Sequence, residues 1–314
     1  MQKHDSSLPP ARLRVSSRDD GMKTVICFGE VLWDSMPQGL FLGGAPLNVA
    51  YHLSRLGCEA LMVSTVGDDV LGEEVLDRMK AFGLSTEHIA VSGALRTGLV
   101  KVQLDRAGNA SYTIIDPAAW DKIDVPDDLV RKTSSAQALV FGSLAMRHEH
   151  NIHQLSRLLD LPGILKVFDV NLRPPFDNMD LVFALARRAD VLKLNEEELS
   201  RLTGLESGTE GAVVDLARRS GVKRICVTLA ARGALLYDNG QWFPGKAEPV
   251  EVRDTVGAGD AFLASFVLSM LSGRVDYSVE MAKACRLGAF IATQYGATPE
   301  YDPNVLPYTG MRTK

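Results

Sequence analysis

Nine residues near the C-terminus carry the most chemistry: Asp254-Thr255-Val256-Gly257-Ala258-Gly259-Asp260-Ala261-Phe262. Two glycines flank one small residue, and a long apolar run follows through Leu271. That run is too long for a buried strand, so it predicts a buried helix starting at about Gly257. A helix start exposes unpaired backbone N–H groups at the positive end of its dipole. Glycines let an anion approach those groups closely, so Gly257, Ala258 and Gly259 outline an anion pocket. An aspartate beside such a pocket repels a merely bound anion. It makes sense where Asp260 takes a proton from an alcohol that attacks a phosphoryl group held on the amides. Asp260 would equally suit the first turn of any helix, and short Gly-rich motifs recur by chance.

A second Gly-rich helix start lies near the other end, at Gly43-Gly44-Ala45-Pro46-Leu47-Asn48. Pro46 suits a first helical turn, Val49, Ala50, Leu53 and Leu56 are spaced as one helix face, and Gly57 ends it. Taken alone, Gly43-Gly44 reads as a turn and Asn48 as a capping amide. Upstream, the apolar run Thr24–Phe28 reads as a first strand with Gly29-Glu30 as its turn, and Asp34 follows.

These motifs must be positioned by the elements between them. Leu61–Val66, Ala138–Leu144, Leu165–Val170, Val191–Leu194 and Ile225–Leu229 are buried-strand runs separated by helical patterns, one of them about Val70–Phe82. That rhythm predicts an α/β fold, a doubly wound and mainly parallel sheet flanked by helices. It breaks between Gly93 and Asp116, where Thr97–Leu104 and Ser111–Ile115 around Arg106-Ala107-Gly108-Asn109 predict a hairpin that joins Ser35–Leu42 in a small separate sheet. Asn239-Gly240 predicts a two-residue hairpin turn between Gly233–Asp238 and Gln241–Phe243. Val275–Tyr295 predicts a last, Ala-rich helix.

Together the two Gly-rich motifs resemble those of the ribokinase-like (PfkB) carbohydrate kinases, and the resemblance runs from Met22 to about Pro303. Gly-Gly-Ala-Pro-x-Asn and Asp-x-Asn-Leu-Arg, here Asp169 to Arg173, are most like the fructokinases of that family. The resemblance implies a ribokinase-like fold with a small β lid, from about 35–42 and 93–116, over the sugar and available for homodimerisation. It implies that Asp34, Gly43, Gly44 and Asn48 hold the sugar and that Arg173 lies near the sugar or the transferring phosphate. Arg173 could instead form a structural ion pair with Asp169 or another carboxylate. Asn195-x-x-Glu198 matches the family motif that organises Mg²⁺ and its waters around ATP; acidic first-turn residues are also ordinary helix capping. Thr228 and Gly233 match the nucleotide turn, with Ala230 standing where the family usually has glycine. Asp254 marks the place of a monovalent cation such as K⁺. The implied reaction is transfer from ATP to a primary hydroxyl, with fructose first and 2-keto-3-deoxygluconate, ribose or a nucleoside as alternatives. A non-catalytic sugar-binding regulator is the other reading.

Composition bounds the rest. The 314 residues are 46% hydrophobic and 23% charged, ordinary for a globular chain. Lys and Arg total 34 against 39 Asp and Glu, a net −5 that offers no nucleic acid or anionic membrane a broad basic surface. Cys27, Cys58, Cys226 and Cys285 sit far apart in apolar runs and read as reduced core thiols of a cytoplasmic protein. No apolar run is long enough to span a membrane. Residues 1–21 are polar and read as a disordered extension, with Met22 a candidate start. A dinucleotide fold needs Gly-x-Gly-x-x-Gly after the first strand, and a P-loop needs Gly-Lys-Ser/Thr; neither occurs. His148, Glu149, His150 and His153 form a metal-like cluster that reads more simply as a solvated loop and first helical turn.

Overall fold

The computed structural model describes residues 22–36, 39–104, 110–205, 210–273 and 276–303. In chain order these form β1 (Thr24–Phe28), β2 (Leu32–Met36), β3 (Gly39–Gly43), α1 (Ala45–Arg55), β4 (Glu59–Gly67), α2 (Val70–Ala81), β5 (Ile89–Ser92), β6 (Gly98–Leu104) and β7 (Ala110–Ile114). Then come α3 (Asp127–Lys132), β8 (Ala138–Gly142), α4 (Glu149–Leu159), β9 (Leu165–Asp169), α5 (Met179–Ala186), β10 (Val191–Asn195), α6 (Glu196–Thr203) and α7 (Glu210–Ser220). The chain continues through β11 (Arg224–Thr228), β12 (Ala234–Asp238), β13 (Gln241–Gly245), α8 (Ala258–Leu271) and α9 (Tyr277–Ala292).

Nine strands build the main sheet in the order β13-β12-β11-β10-β9-β8-β1-β4-β5. Seven run parallel, and β12 and β13 turn back antiparallel at one edge. The apolar runs of the central strands β1, β8 and β10 are buried on both faces, as parallel strands covered by helices require. Along β1 the faces alternate: Val25 and Cys27 join a core with α1, α8 and α9, while Ile26 and Phe28 join a core with α4 to α7. Strand order reverses around β1, which lies between β4 and β8, and ligands of such sheets bind outside the strands' carboxyl ends at that reversal.

Local chemistry explains the element ends. Asp69 caps α2 by accepting from the Gly72 amide at 2.9 Å, and Asp276 caps α9 through the Ser278 amide at 3.0 Å. Asn239 and Gly240 both take positive φ, 49° and 89°, as the predicted tight turn demands. Helix α8 is apolar all round and is packed between α1 and α9, so Phe262, Leu263, Phe266 and Val267 are all buried. All four cysteines are buried and free.

A second sheet of four strands, β3-β2-β6-β7, stands apart from the first. Of the segment Ser35–Leu42, expected in this sheet, Ser35 and Met36 belong to β2 and residues 39–42 to β3. The expected turn at Arg106–Asn109 lies outside the described residues, as does the extension 1–21. Strand β5 has no strong sequence signal, being four residues long with two of them exposed. The last helix is shorter than expected at both ends. Among the described residues, no helix is long and apolar enough to cross a membrane.

Candidate active site

The two Gly-rich motifs meet. Asn48 Nδ2 donates to Asp260 Oδ2 at 2.8 Å across 212 residues of sequence. Both sit in the first turn of their helices, α1 and α8, so the bond brings the two helix starts together. Gly257 is the N-cap of α8 with φ 77°, and a Cβ there would stand 2.5 Å from the Ala297 Cα, so both conformation and space demand glycine. The Asp254 carboxylate accepts from the amides of Val256 and Gly296, each at 3.0 Å, and ties this loop to the segment after α9.

The glycine pair before α1 makes room for the Asp34 carboxylate and for the backbone at Glu30. A Cβ on Gly43 would lie 2.8 Å from Asp34 Oδ2, and one on Gly44 would collide with the Glu30 carbonyl oxygen. Burial pushes the Asp34 carboxyl up to about 6, against the pull of Arg173. Burial also raises Asp260, opposed by Lys193, reinforced by Asp169, and opposed again by its bond from Asn48 and by Arg173. A carboxylate held above its ordinary range is a better base at neutral pH.

Arg173, exposed and donating to the Leu172 carbonyl at 3.3 Å, is near enough to Asp34 and Asp260 to favour their charged forms. The alternative ion pair with Asp169 is corrected here: the partner of Asp169 is Lys193, whose Nζ donates to both carboxylate oxygens at 3.0 Å. Lys193 and Asp169 are buried, 8% and 3% exposed, beneath the start of α8. A Cβ on Gly259 would come within 3.3 Å of Lys193 Nζ, so that glycine also accommodates the ammonium. Burial opposes the charge of Lys193, but Asp169, Asp260 and Glu198 together outweigh it and raise its pKa.

Glu198 and Asn195 form a capping box. Glu198 N donates to Asn195 Oδ1 at 2.9 Å and Asn195 N to Glu198 Oε2 at 2.8 Å, while Glu198 Oε1 accepts from Leu172 N at 2.8 Å. Each carboxylate oxygen keeps one lone pair, which suits contact with a hydrated divalent ion through water. Gly233, with φ 98°, is fixed by structure: a Cβ would collide with the Gly245 carbonyl oxygen of β13. Thr228 Oγ1 donates to the Leu194 carbonyl at 3.4 Å. Ala230 takes φ 50°, the left-handed conformation that glycine adopts more cheaply.

Glu30 and Lys193 are the site residues that motif reasoning passes over, while Asp169 enters it only as the head of Asp-x-Asn-Leu-Arg. The signal for Lys193 is a charge inside an apolar strand, Val-Leu-Lys-Leu-Asn, which a solvated role cannot explain; Glu30, beyond the end of β1, carries no such signal. The histidine-rich segment is not brought here. His148 bonds Asp116 and His150 bonds Asp124, each at 2.9 Å. Asp116, Asp121 and His148 do converge, but Arg147 already neutralises Asp121 through contacts of 2.7 and 2.6 Å.

Residues 22–303 match the model of the pfkB family of carbohydrate kinases. A curated relative, probable fructokinase-4 of Arabidopsis thaliana, is 30% identical over 88% of this chain and 92% of its own. Among solved structures, fructokinase with bound ATP from Xylella fastidiosa superposes with TM-score 0.77 at 26% identity, covering 88% of this chain and 94% of its own. A double mutant of fructokinase from Vibrio cholerae O395, in a form with fructose, ADP and potassium ion bound, gives TM-score 0.76 at 26% identity over 90% and 96%. With a match of this extent, and with its two Gly-rich helix starts brought together, the chain belongs to the pfkB family of carbohydrate kinases.

Proposed function

We propose that the protein transfers the γ-phosphoryl group of ATP to the 6-hydroxyl of fructose. The carrying observation is the 2.8 Å bond from Asn48 to Asp260, which sets beside the candidate base an amide that would hold the sugar. Asp34, Gly43, Gly44 and Asn48 would fix the sugar, since a polyol is recognised by short, fixed polar groups. Asp260 would accept the proton of the attacking hydroxyl. The amides of Gly257, Ala258 and Gly259 would receive the charge that builds on the phosphoryl oxygens. Arg173, among the acids of the site, would hold the phosphoryl group or the sugar. Thr228 and Gly233 would border the nucleotide.

Asn195 and Glu198 would hold Mg²⁺ through its waters, and that ion neutralises the β- and γ-phosphates when bound. A monovalent cation, K⁺, would sit beside the Asp254 loop. The four-stranded sheet would act as lid, and Leu40 and Phe41 on β3, each 43% exposed, favour its use as a homodimer face. We place the protein in the cytoplasm.

A coupled ADP-release assay over fructose, 2-keto-3-deoxygluconate, ribose and a nucleoside tests this reading. Fructose is expected to give the highest kcat/KM. Release of ADP with none of the four would favour the sugar-binding regulator and overturn the kinase assignment.

A further inference from the structure

Near Asp260, Asn48 Oδ1 and Glu30 Oε2 are buried and have no hydrogen-bond partner among the described residues. The first belongs to the sugar amide already described. The second belongs to a residue with no role so far. Glu30 follows β1 directly, at the carboxyl end of the strand where the sheet order reverses, and is 2% exposed. Its own amide and that of Ala45, at the start of α1, stabilise its charged form, as does Arg173 after β9. Asp260 on α8 opposes that charge.

An ionised carboxylate with one bare oxygen is costly to bury, whereas a neutral carboxylic acid is much less so. The neutral acid carries an O–H donor. The nearby acids, Asp34 and Asp260, offer acceptors, and a sugar hydroxyl both donates and accepts. Beside two carboxylates, each hydroxyl that donates to an acid still has its own oxygen to satisfy, and a neutral acid adds one donor to the few the site offers.

We propose that Glu30 is a further sugar-recognising residue, a neutral carboxylic acid whose Oε2–H donates to a hydroxyl oxygen of the bound sugar. The inference rests on the sugar-kinase reading above. Burial, the largest influence, raises the Glu30 carboxyl to about 7, so the donor persists into the neutral range and is lost above it. Sugar affinity therefore falls as pH rises through about 7. Asp34 titrates lower, at about 6, and with Asp260 and Arg173 it is common to wild type and to Glu30 variants.

The test is fructose binding without nucleotide, by calorimetry from pH 6 to 9, with thermal melting of each variant as the check on folding. Wild type is expected to weaken about tenfold per pH unit above about 7, as a single required proton dictates. Glu30→Gln keeps a donor that does not titrate and removes this weakening. Glu30→Leu removes the donor and raises Kd by about tenfold or more at pH 6.5. A flat wild-type profile, an alkaline weakening that survives in Glu30→Gln, or wild-type affinity in Glu30→Leu overturns the assignment. If folded wild type binds neither fructose nor any other acceptor of the panel, the sugar reading itself fails and takes Glu30 with it. If wild type binds and the variants match it, Glu30 alone falls.

Discussion

Replacing Lys193 by methionine isolates the buried charge pair under the anion pocket. The ammonium lies 3.0 Å from both oxygens of Asp169, and the two side chains are 10% and 5% exposed. Methionine fills the alkyl space but strands an uncompensated carboxylate, and breaking a buried pair from one side costs about 3–5 kcal/mol. For a chain of this size each kcal/mol moves Tm by roughly 2–4 °C. Lys193→Met should therefore melt about 10 °C below wild type at pH 7, followed by circular dichroism. Adding Asp169→Asn removes the stranded charge and should recover most of the loss. The variant also takes a cation away from Asp260, so the acid limb of kcat/KM should move to higher pH. A single variant that melts with wild type, or a double variant no better than the single, refutes the reasoning.

Two further changes probe backbone strain and proton linkage. Ala230 sits exposed at φ 50°, where a side chain costs about 1–2 kcal/mol and glycine's extra unfolded freedom returns about 0.4–1. Ala230→Gly should thus stabilise by about 0.5–1 kcal/mol in urea unfolding; a loss of stability contradicts the strain. Burial holds His52 down at about 4, between Tyr301 Oη and the Ala297 carbonyl, each at 2.9 Å. From its free value near 6.5 down to about 4, the unfolded chain binds a proton that the folded chain refuses, so stability falls as pH falls. That linkage is worth about 3 kcal/mol over the window. Glu30 and Asp34 are raised and run the opposite way, but they are common to both proteins compared. Wild-type stability should fall about 3 kcal/mol more than that of His52→Gln between pH 6.5 and 4; parallel profiles contradict it.

Much of the fold is written in short-range pattern. Continuous apolar runs mark strands such as β8 and β11, because a strand buried on both faces has no polar positions to interrupt it. Asn239-Gly240 marks its hairpin because only a few residues adopt two successive positive φ angles. Pattern fails where tertiary contact decides. Ser35–Leu42 is shared between β2 and β3, whose strand order is set by pairing with β6 rather than by local propensity.

The site divides the same way. The two helix starts, at Gly43-Gly44 and at Gly257, are legible from glycine, proline and apolar spacing, but that Asn48 and Asp260 meet is a tertiary fact no local spacing carries. The pairing of Lys193 with Asp169 joins adjacent strands, and its partner choice is fixed by sheet register, with Lys193 opposite Asp169. Nothing local in Asp-x-Asn-x-Arg says that Arg173 leaves Asp169 to another cation. Glu30 reads as a turn residue until the start of α1 is seen packed on its carbonyl oxygen, and nothing local in Gly233 says that β13 lies against it.

The most direct test of the account is the rate of phosphoryl transfer to fructose in Asp260→Asn. The substituted amide still offers Asn48 Nδ2 an oxygen to donate to, so the site keeps its shape while losing its base. The account predicts kcat lower by about 10²–10⁴ with the sugar KM within a few-fold of wild type. A variant that turns over at the wild-type rate would show that the proton leaves by another route.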